Sequence, residues 1–204
     1  MNIESHLERI HQKIAQGGRV IIGLTGAPGA GKSTLAEVLV ERLRGQSVIV
    51  PMDGYHLANV ELARLGRADR KGAEDTFDSA GYVALLRRLR DQAPDEIVYA
   101  PQFRREIEEP IANAIPVFAD TRVIITEGNY LLLDTGHWRH VRALIDEIWF
   151  VDVDNALRRE RLIARHVQFG RSPEAAEKWV ASSDDVNARL ILSTRDRADY
   201  TIEI

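Results

Sequence analysis

Eight residues, Gly26-Ala27-Pro28-Gly29-Ala30-Gly31-Lys32-Ser33, leave few architectures open to this chain. They join an apolar run, Val20 to Leu24, to residues at helical spacing, Leu35, Val38, Leu39 and Leu43. The order is strand, glycine loop, helix. In the spacing G-x-x-x-x-G-K-S the glycines let the backbone turn its N–H groups inward, and the following helix N-terminus adds partial positive charge. Such a loop cradles a polyphosphate. Gly26, Ala27, Pro28, Gly29, Ala30 and Gly31 would supply the backbone, and Lys32 would reach the β and γ phosphates as a point charge. Ser33 would offer its hydroxyl to Mg²⁺, and Thr34 would add a hydroxyl in the first helical turn. The plainer alternative is a flexible Gly/Ala turn.

At 204 residues the chain is long enough to bury a sheet between two helical layers, and one domain accounts for it. A charged fraction of 28% with 45% hydrophobic residues matches a water-soluble globular protein, and no apolar run reaches the length of a membrane span. Glu4 and Glu8 interrupt the apolar N-terminal positions, unlike a secretory signal, so the cytoplasm is the expected compartment. The absence of cysteine excludes disulfides, thiolate metal sites and cysteine nucleophiles. A net charge of −4 argues against a broad nucleic-acid surface and leaves any positive potential local.

Ile3, Leu7, Ile10 and Ile14 predict an amphipathic first helix ended by Gly17-Gly18. After the loop and its helix, which Gly45 closes, Ser47 to Met52 reads as a second strand delivering Asp53-Gly54-Tyr55-His56 at its carboxyl end. Ligands of open parallel sheets collect there, so Asp53 faces the phosphate loop or, alternatively, caps the next helix. Leu57 to Leu65 reads as a helix with Leu57, Val60, Leu62 and Leu65 as its apolar set. Residues 66–75 carry two glycines and charges of both signs, and read either as a mobile loop over a polar site or as solvent-facing linker. Asp78 or Ser79 starts a helix with Tyr82, Leu85, Leu86 and Leu89 inward.

Glu96 to Tyr99 is a short strand, and Pro110 and Pro116 keep the section after it extended or turned. Arg122 to Thr126 is a buried strand ending in Glu127, a second carboxylate at a strand end. In phosphate-loop enzymes such a residue helps hold Mg²⁺; elsewhere it is a surface charge. His137 and His140 stand three apart with no further ligand nearby, which speaks against a structural metal site, and Val141, Leu144 and Ile145 have helix spacing. Ile148 to Val153 is a further strand, with Asp154 placed to cap the helix after it. That helix aligns Arg158, Arg161 and Arg165 on one face, suited to the charge of a transferring phosphoryl group or to solvent. Gly170-Arg171 breaks it, Pro173 starts another helix running through Ile191, and Tyr200 to Ile204 is the last strand. The fold class is therefore α/β, in three α/β/α layers around a mainly parallel central sheet.

Taken together, these stretches resemble the uridine kinase, phosphoribulokinase and bacterial pantothenate kinase group of P-loop kinases from about residue 20 onward. The resemblance rests on GAPGAGKST (Gly26 to Thr34), MDGYH (Met52 to His56), RKGAEDTFD (Arg70 to Asp78), TEGNYLLL (Thr126 to Leu133) and the arginine helix ending in Gly170-Arg171. Within the group the chain looks most like a bacterial branch often labelled fructose transport system kinase. The resemblance implies a P-loop NTPase fold, ATP and Mg²⁺, Asp53 as the base facing the acceptor hydroxyl, and Glu127 near Mg²⁺. It also implies Arg161 and Arg165 as lid arginines, Arg171 beside the nucleotide, and a homo-oligomer as the usual assembly. The branch tends to read Phe-Asp-Arg where this chain has Phe103-Arg104-Arg105, so an acid is missing at the acceptor side.

The resulting expectation is one kinase domain over 1–204, with a lid near 155–175 and an acceptor-side insert over 54–116. It would move the γ-phosphoryl of ATP to a hydroxyl of a small sugar-, nucleoside- or pantothenate-like molecule. Acceptor-side candidates are Tyr55, His56, Arg67, Lys71, Asp78 and Arg105; of the basic residues, Arg67, Arg70, Arg104 and Arg105 suit an anionic substrate or face water. The rival class is an ATPase or nucleotide switch serving a protein partner. The Asn/Thr-Lys-x-Asp stretch of a guanine-reading switch is not present.

Overall fold

The computed structural model describes residues 3–204. Its sheet is built from five strands, β1 (Val20–Thr25), β2 (Ser47–Pro51), β5 (Val123–Glu127), β6 (Glu147–Asp152) and β7 (Tyr200–Glu203), paired in the order β2-β5-β1-β6-β7, and the inner three are buried on both faces. Every pairing is parallel. The period of two then sorts the strand residues. Val20, Ile22, Leu24, Val123, Ile125, Trp149 and Val151 pack with α1 (Ile3–Ala15) and α2 (Lys32–Arg42) on one side. Ile21, Val50, Ile124, Ile148 and Phe150 face the other side, against Tyr82, Leu86 and Leu89 of α4 (Ser79–Arg90) and against Trp138, Val141 and Ile145. Because all five strands run one way, their carboxyl ends share a single edge of the sheet.

The section from residue 96 to 118 differs from its sequence reading. The short strand is the start of an antiparallel hairpin, β3 (Ile97–Arg104) and β4 (Glu109–Phe118), which forms a two-stranded sheet of its own. Pro116 lies opposite Tyr99 and Pro110 opposite Phe103, and the register shifts between Ala100 and Gln102, where Pro101 sits. Prolines are tolerated here because no third strand needs their missing N–H groups. Val98, Ala100 and Val117 bury the inner face, and the Arg19 guanidinium ties the hairpin base to the core by donating to the carbonyls of Leu89 (2.8 Å), Phe118 (2.8 Å) and Thr121 (2.9 Å).

Three helices also depart from expectation. The helix read over 57–65 is only Asn59–Arg64 (α3), because Ala58 is extended (φ −60, ψ 151) and the Leu57 N–H bonds the Thr76 carbonyl (2.9 Å) outside any helix, and Val60 is 80% exposed, not inward. Residues 138–144 form two 3₁₀ turns, not a helix. Finally, the C-terminal helix is divided into α6 (Pro173–Trp179), a π turn (Val180–Asp184) and α7 (Asp185–Leu192). The wider turn brings both Ser183 and Asp184 inward.

Candidate active site

The loop after β1 has the backbone that its sequence demands. Gly26 has φ +148, and a Cβ there would lie 2.3 Å from the Val151 carbonyl oxygen; Gly29 has φ +83, and a Cβ there would lie 2.8 Å from the Arg158 carbonyl oxygen. The loop is thus pressed between the end of β6 and α5 (Asn155–Gln168), while α2 starts directly at Lys32. Ala27 and Ala30 are buried beneath it, held by an Ala30 N–H to Ala27 carbonyl bond of 3.1 Å. Pro28, Gly29, Gly31, Lys32, Ser33 and Thr34 line a cleft of ≈ 750 Å³.

The Lys32 ammonium donates to the carbonyls of Gly26 (2.9 Å) and Ala27 (3.2 Å) and to Asn129 Oδ1 (2.8 Å). Burial lowers its pKa to about 8, although Glu127 and Asp53 pull the other way. Ser33 Oγ donates to Glu127 Oε1 at 3.1 Å. Burial pushes the Glu127 carboxyl up, the negative charge of Asp53 adds to that, and Lys32 and Ser33 oppose it. Burial and the nearby Asp53 charge both disfavour an ionised Glu127, which a hard divalent cation relieves, so the Ser33 and Glu127 oxygens fit Mg²⁺, which takes few protein ligands and completes its shell with water and phosphate.

Asp53 lies within a single 3₁₀ turn, Met52–Tyr55, that follows β2, and among the described residues its carboxylate accepts no backbone N–H. Its ion-pair partner is Arg105, at 3.7 Å. The capping alternative therefore has no bond to support it. His56 is wedged between Phe77 and Phe103 (ring centroids 4.0 and 4.5 Å), with Nδ1 2.7 Å from the Asp53 carbonyl oxygen. Burial holds its pKa below the ordinary value. Lys71 donates to Asn59 Oδ1 (2.6 Å) and to the Glu108 carbonyl, and lies over the Phe103 ring. His56, Lys71 and Arg105 all line the cleft.

Three acceptor-side candidates do not line it. Asp78 caps α4, accepting from the Gly81 N–H (2.8 Å); Arg67 donates to the Asp75 carbonyl (2.7 Å); and Tyr55 packs edge-on against Tyr82. These side chains are occupied in holding the fold.

From the other wall, α5 contributes Arg161 and Arg165. Arg161 is beside the phosphate loop, with Nη1 3.7 Å from where a Gly31 Cβ would stand. Arg165 is half-buried, and its pKa is lowered by burial and then by the nearby Arg105 charge. Arg158 breaks the expected row: only 3% exposed, it bonds Asp185 Oδ1 (2.5 Å), Asn155 Oδ1 (2.8 Å) and the Pro28 carbonyl (3.4 Å). It clamps loop, α5 and α7 together and has no exposed edge for a ligand. Arg171 stacks over Trp179, 4.1 Å from the ring centroid, and both line the cleft.

Several cleft residues escaped the sequence reading. Asp184 pairs with His166 (2.8 Å), and Asn187 donates to the Gly72 carbonyl (3.3 Å). Both sit around the π turn, which carries no sequence signature. Asn129 was visible inside TEGNYLLL, but nothing in that stretch alone distinguishes it from a turn residue.

With this geometry in view, known proteins give a consistent picture. The family model described as phosphoribulokinase / uridine kinase family matches residues 21–204. The "ATP-dependent kinase-like protein notR′" of Aspergillus versicolor is 41% identical over 152 residues, covering 71% of this chain and 88% of that one. The "Putative uridine kinase C227.14" of Schizosaccharomyces pombe is 38% identical over 196 residues, covering 91% and 83%. A crystal structure titled "putative fructose transport system kinase", from Silicibacter sp. TM1040, superposes with a TM-score of 0.90 at 38% identity, covering 99% of each chain. A nucleotide-shaped loop at the centre of a parallel sheet and a family match over nearly all of that sheet lead to one conclusion: this chain belongs to the phosphoribulokinase/uridine kinase family of P-loop kinases.

Proposed function

We propose that this protein transfers the γ-phosphoryl of Mg²⁺·ATP to a hydroxyl of a small metabolite, and that the metabolite is a sugar. The carrying observation is that Asp53, a carboxylate with no capping duty, shares one cleft with Lys32, Glu127 and Arg165. Lys32 and the loop amides hold the polyphosphate, Ser33 and Glu127 hold Mg²⁺, which draws charge from the phosphate oxygens, and Arg161 and Arg165 face the transferring group. Asp53 takes the proton from the acceptor hydroxyl, and Arg105, 3.7 Å away, orients it. The sugar is favoured by the likeness to the Silicibacter protein, whose name includes fructose transport.

Release of ADP from Mg²⁺·ATP, measured against a panel of sugars, nucleosides and pantothenate-like acids, tests this reading. Strong stimulation by one sugar is expected. Stimulation by a nucleoside or by a pantothenate-like acid alone replaces the sugar. Hydrolysis that responds only to a protein partner overturns the kinase reading.

Residues 155–175 are proposed to be the lid that excludes water when closed. Hydrogen exchange there is expected to slow on adding Mg²⁺ and a non-hydrolysable ATP analogue; equal exchange in both states tells against a lid.

A further inference from the structure

The side chain of Asn129 faces in two chemical directions at once. Lys32 can only donate, so the atom that meets it at 2.8 Å must be the carboxamide oxygen, and the NH₂ is turned elsewhere. That NH₂ has no protein acceptor, yet no buried side-chain nitrogen or oxygen among the described residues lacks a partner. The NH₂ is therefore open to the cleft that Asn129 lines.

The backbone beneath it is fixed. The Gly128 N–H donates to the Leu24 carbonyl (3.0 Å) and Thr25 Oγ1 to the Asn129 carbonyl (3.2 Å), so the turn after β5 is stitched to the end of β1. The strand order puts β5 between β1, which carries the phosphate loop, and β2, which carries Asp53. Asn129, just past the end of β5, thus lies between the strand that leads into the phosphate loop and the strand that leads to the proposed base.

We propose that Asn129 bridges Lys32 and the γ-phosphoryl group, its Oδ1 accepting from the ammonium and its NH₂ donating to a γ-phosphoryl oxygen. This rests on the nucleotide reading above. The bridge couples the point charge of Lys32 to the one phosphate that leaves. It also accounts for an amide at this position, since neither a carboxylate nor an aliphatic side chain can accept on one side and donate on the other.

Lys32 reaches both the β and γ phosphates, whereas the proposed NH₂ contact is to γ alone, and this difference supplies the test. Binding of AMP-PNP and of ADP, each with Mg²⁺, is measured by calorimetry on the parent, on Asn129→Leu and on Asn129→Ala. The alanine variant removes atoms without adding any, which guards against a packing fault. AMP-PNP is expected to weaken about ten-fold or more, as befits a lost bond to a charged group. ADP is expected to stay within about two-fold of the parent. Equal weakening of both nucleotides makes Asn129 an anchor for Lys32 or for the loop, and no weakening removes its role; either result overturns the bridge. A parent that binds neither nucleotide overturns the kinase reading itself, which is a different failure.

Discussion

Asp53→Asn is expected to lower acceptor-dependent turnover by roughly 10²- to 10⁴-fold while leaving nucleotide affinity almost unchanged, because the amide keeps the shape and loses the base. The structure sharpens what a large loss would mean. Asp53 caps no helix, so a fall in rate does not come from a frayed turn, and its partner Arg105 sits 3.7 Å away on the hairpin side. Two measurements accompany the rate. If Asp53 touches Mg²⁺ through water, the Mg²⁺ dependence shifts together with turnover. If turnover with the acceptor is normal, Asp53 leaves the catalytic list.

Lys32→Ala is expected to reduce phosphoryl transfer by about 10²- to 10³-fold, the scale for losing one preorganised donor. The circular dichroism of the parent should persist. Lys32 is buried, but its three bonds run to two loop carbonyls and to Asn129, not into the apolar core. Its removal also takes away a charge whose burial is unfavourable enough to bring its pKa to about 8. Parental turnover in a variant with parental circular dichroism would refute the phosphate-loop role.

The parts of the structure that could be read in advance are those in which local pattern and burial agree. β1, β5 and β6 are continuous apolar runs because both faces of a parallel sheet are covered, and the carboxylates at the ends of β5, β6 and β2 fall on one edge because those strands run the same way. The second strand of the hairpin was hidden by Pro110 and Pro116, since proline marks a break unless the strand has a free edge. The arginine helix misled in one position. Spacing places Arg158 with Arg161 and Arg165, but spacing says nothing about Asp185, which comes from 27 residues further on and draws Arg158 inward. The π turn that delivers Asp184 to His166 is a matter of how two helices meet the cleft, and no residue type in Val180–Asp184 announces it.

The hairpin has a consequence for how such a protein can change its substrate. Donor-side groups hang from strands whose hydrogen bonds are shared across five members, where a one-residue slip would turn every side chain to the opposite face. The hairpin shares none of those ladder bonds. It meets the rest through side-chain packing, the Arg19 clamp, hydrogen bonds from Asn59, Lys71 and Gln92 and the Arg105–Asp53 pair, and it carries Phe103 and presents Arg105 at its tip. Under the proposed function, substitutions in residues 97–118 other than Arg105, whose guanidinium faces Asp53, would alter acceptor choice without shifting the register of the strand that leads into the phosphate loop.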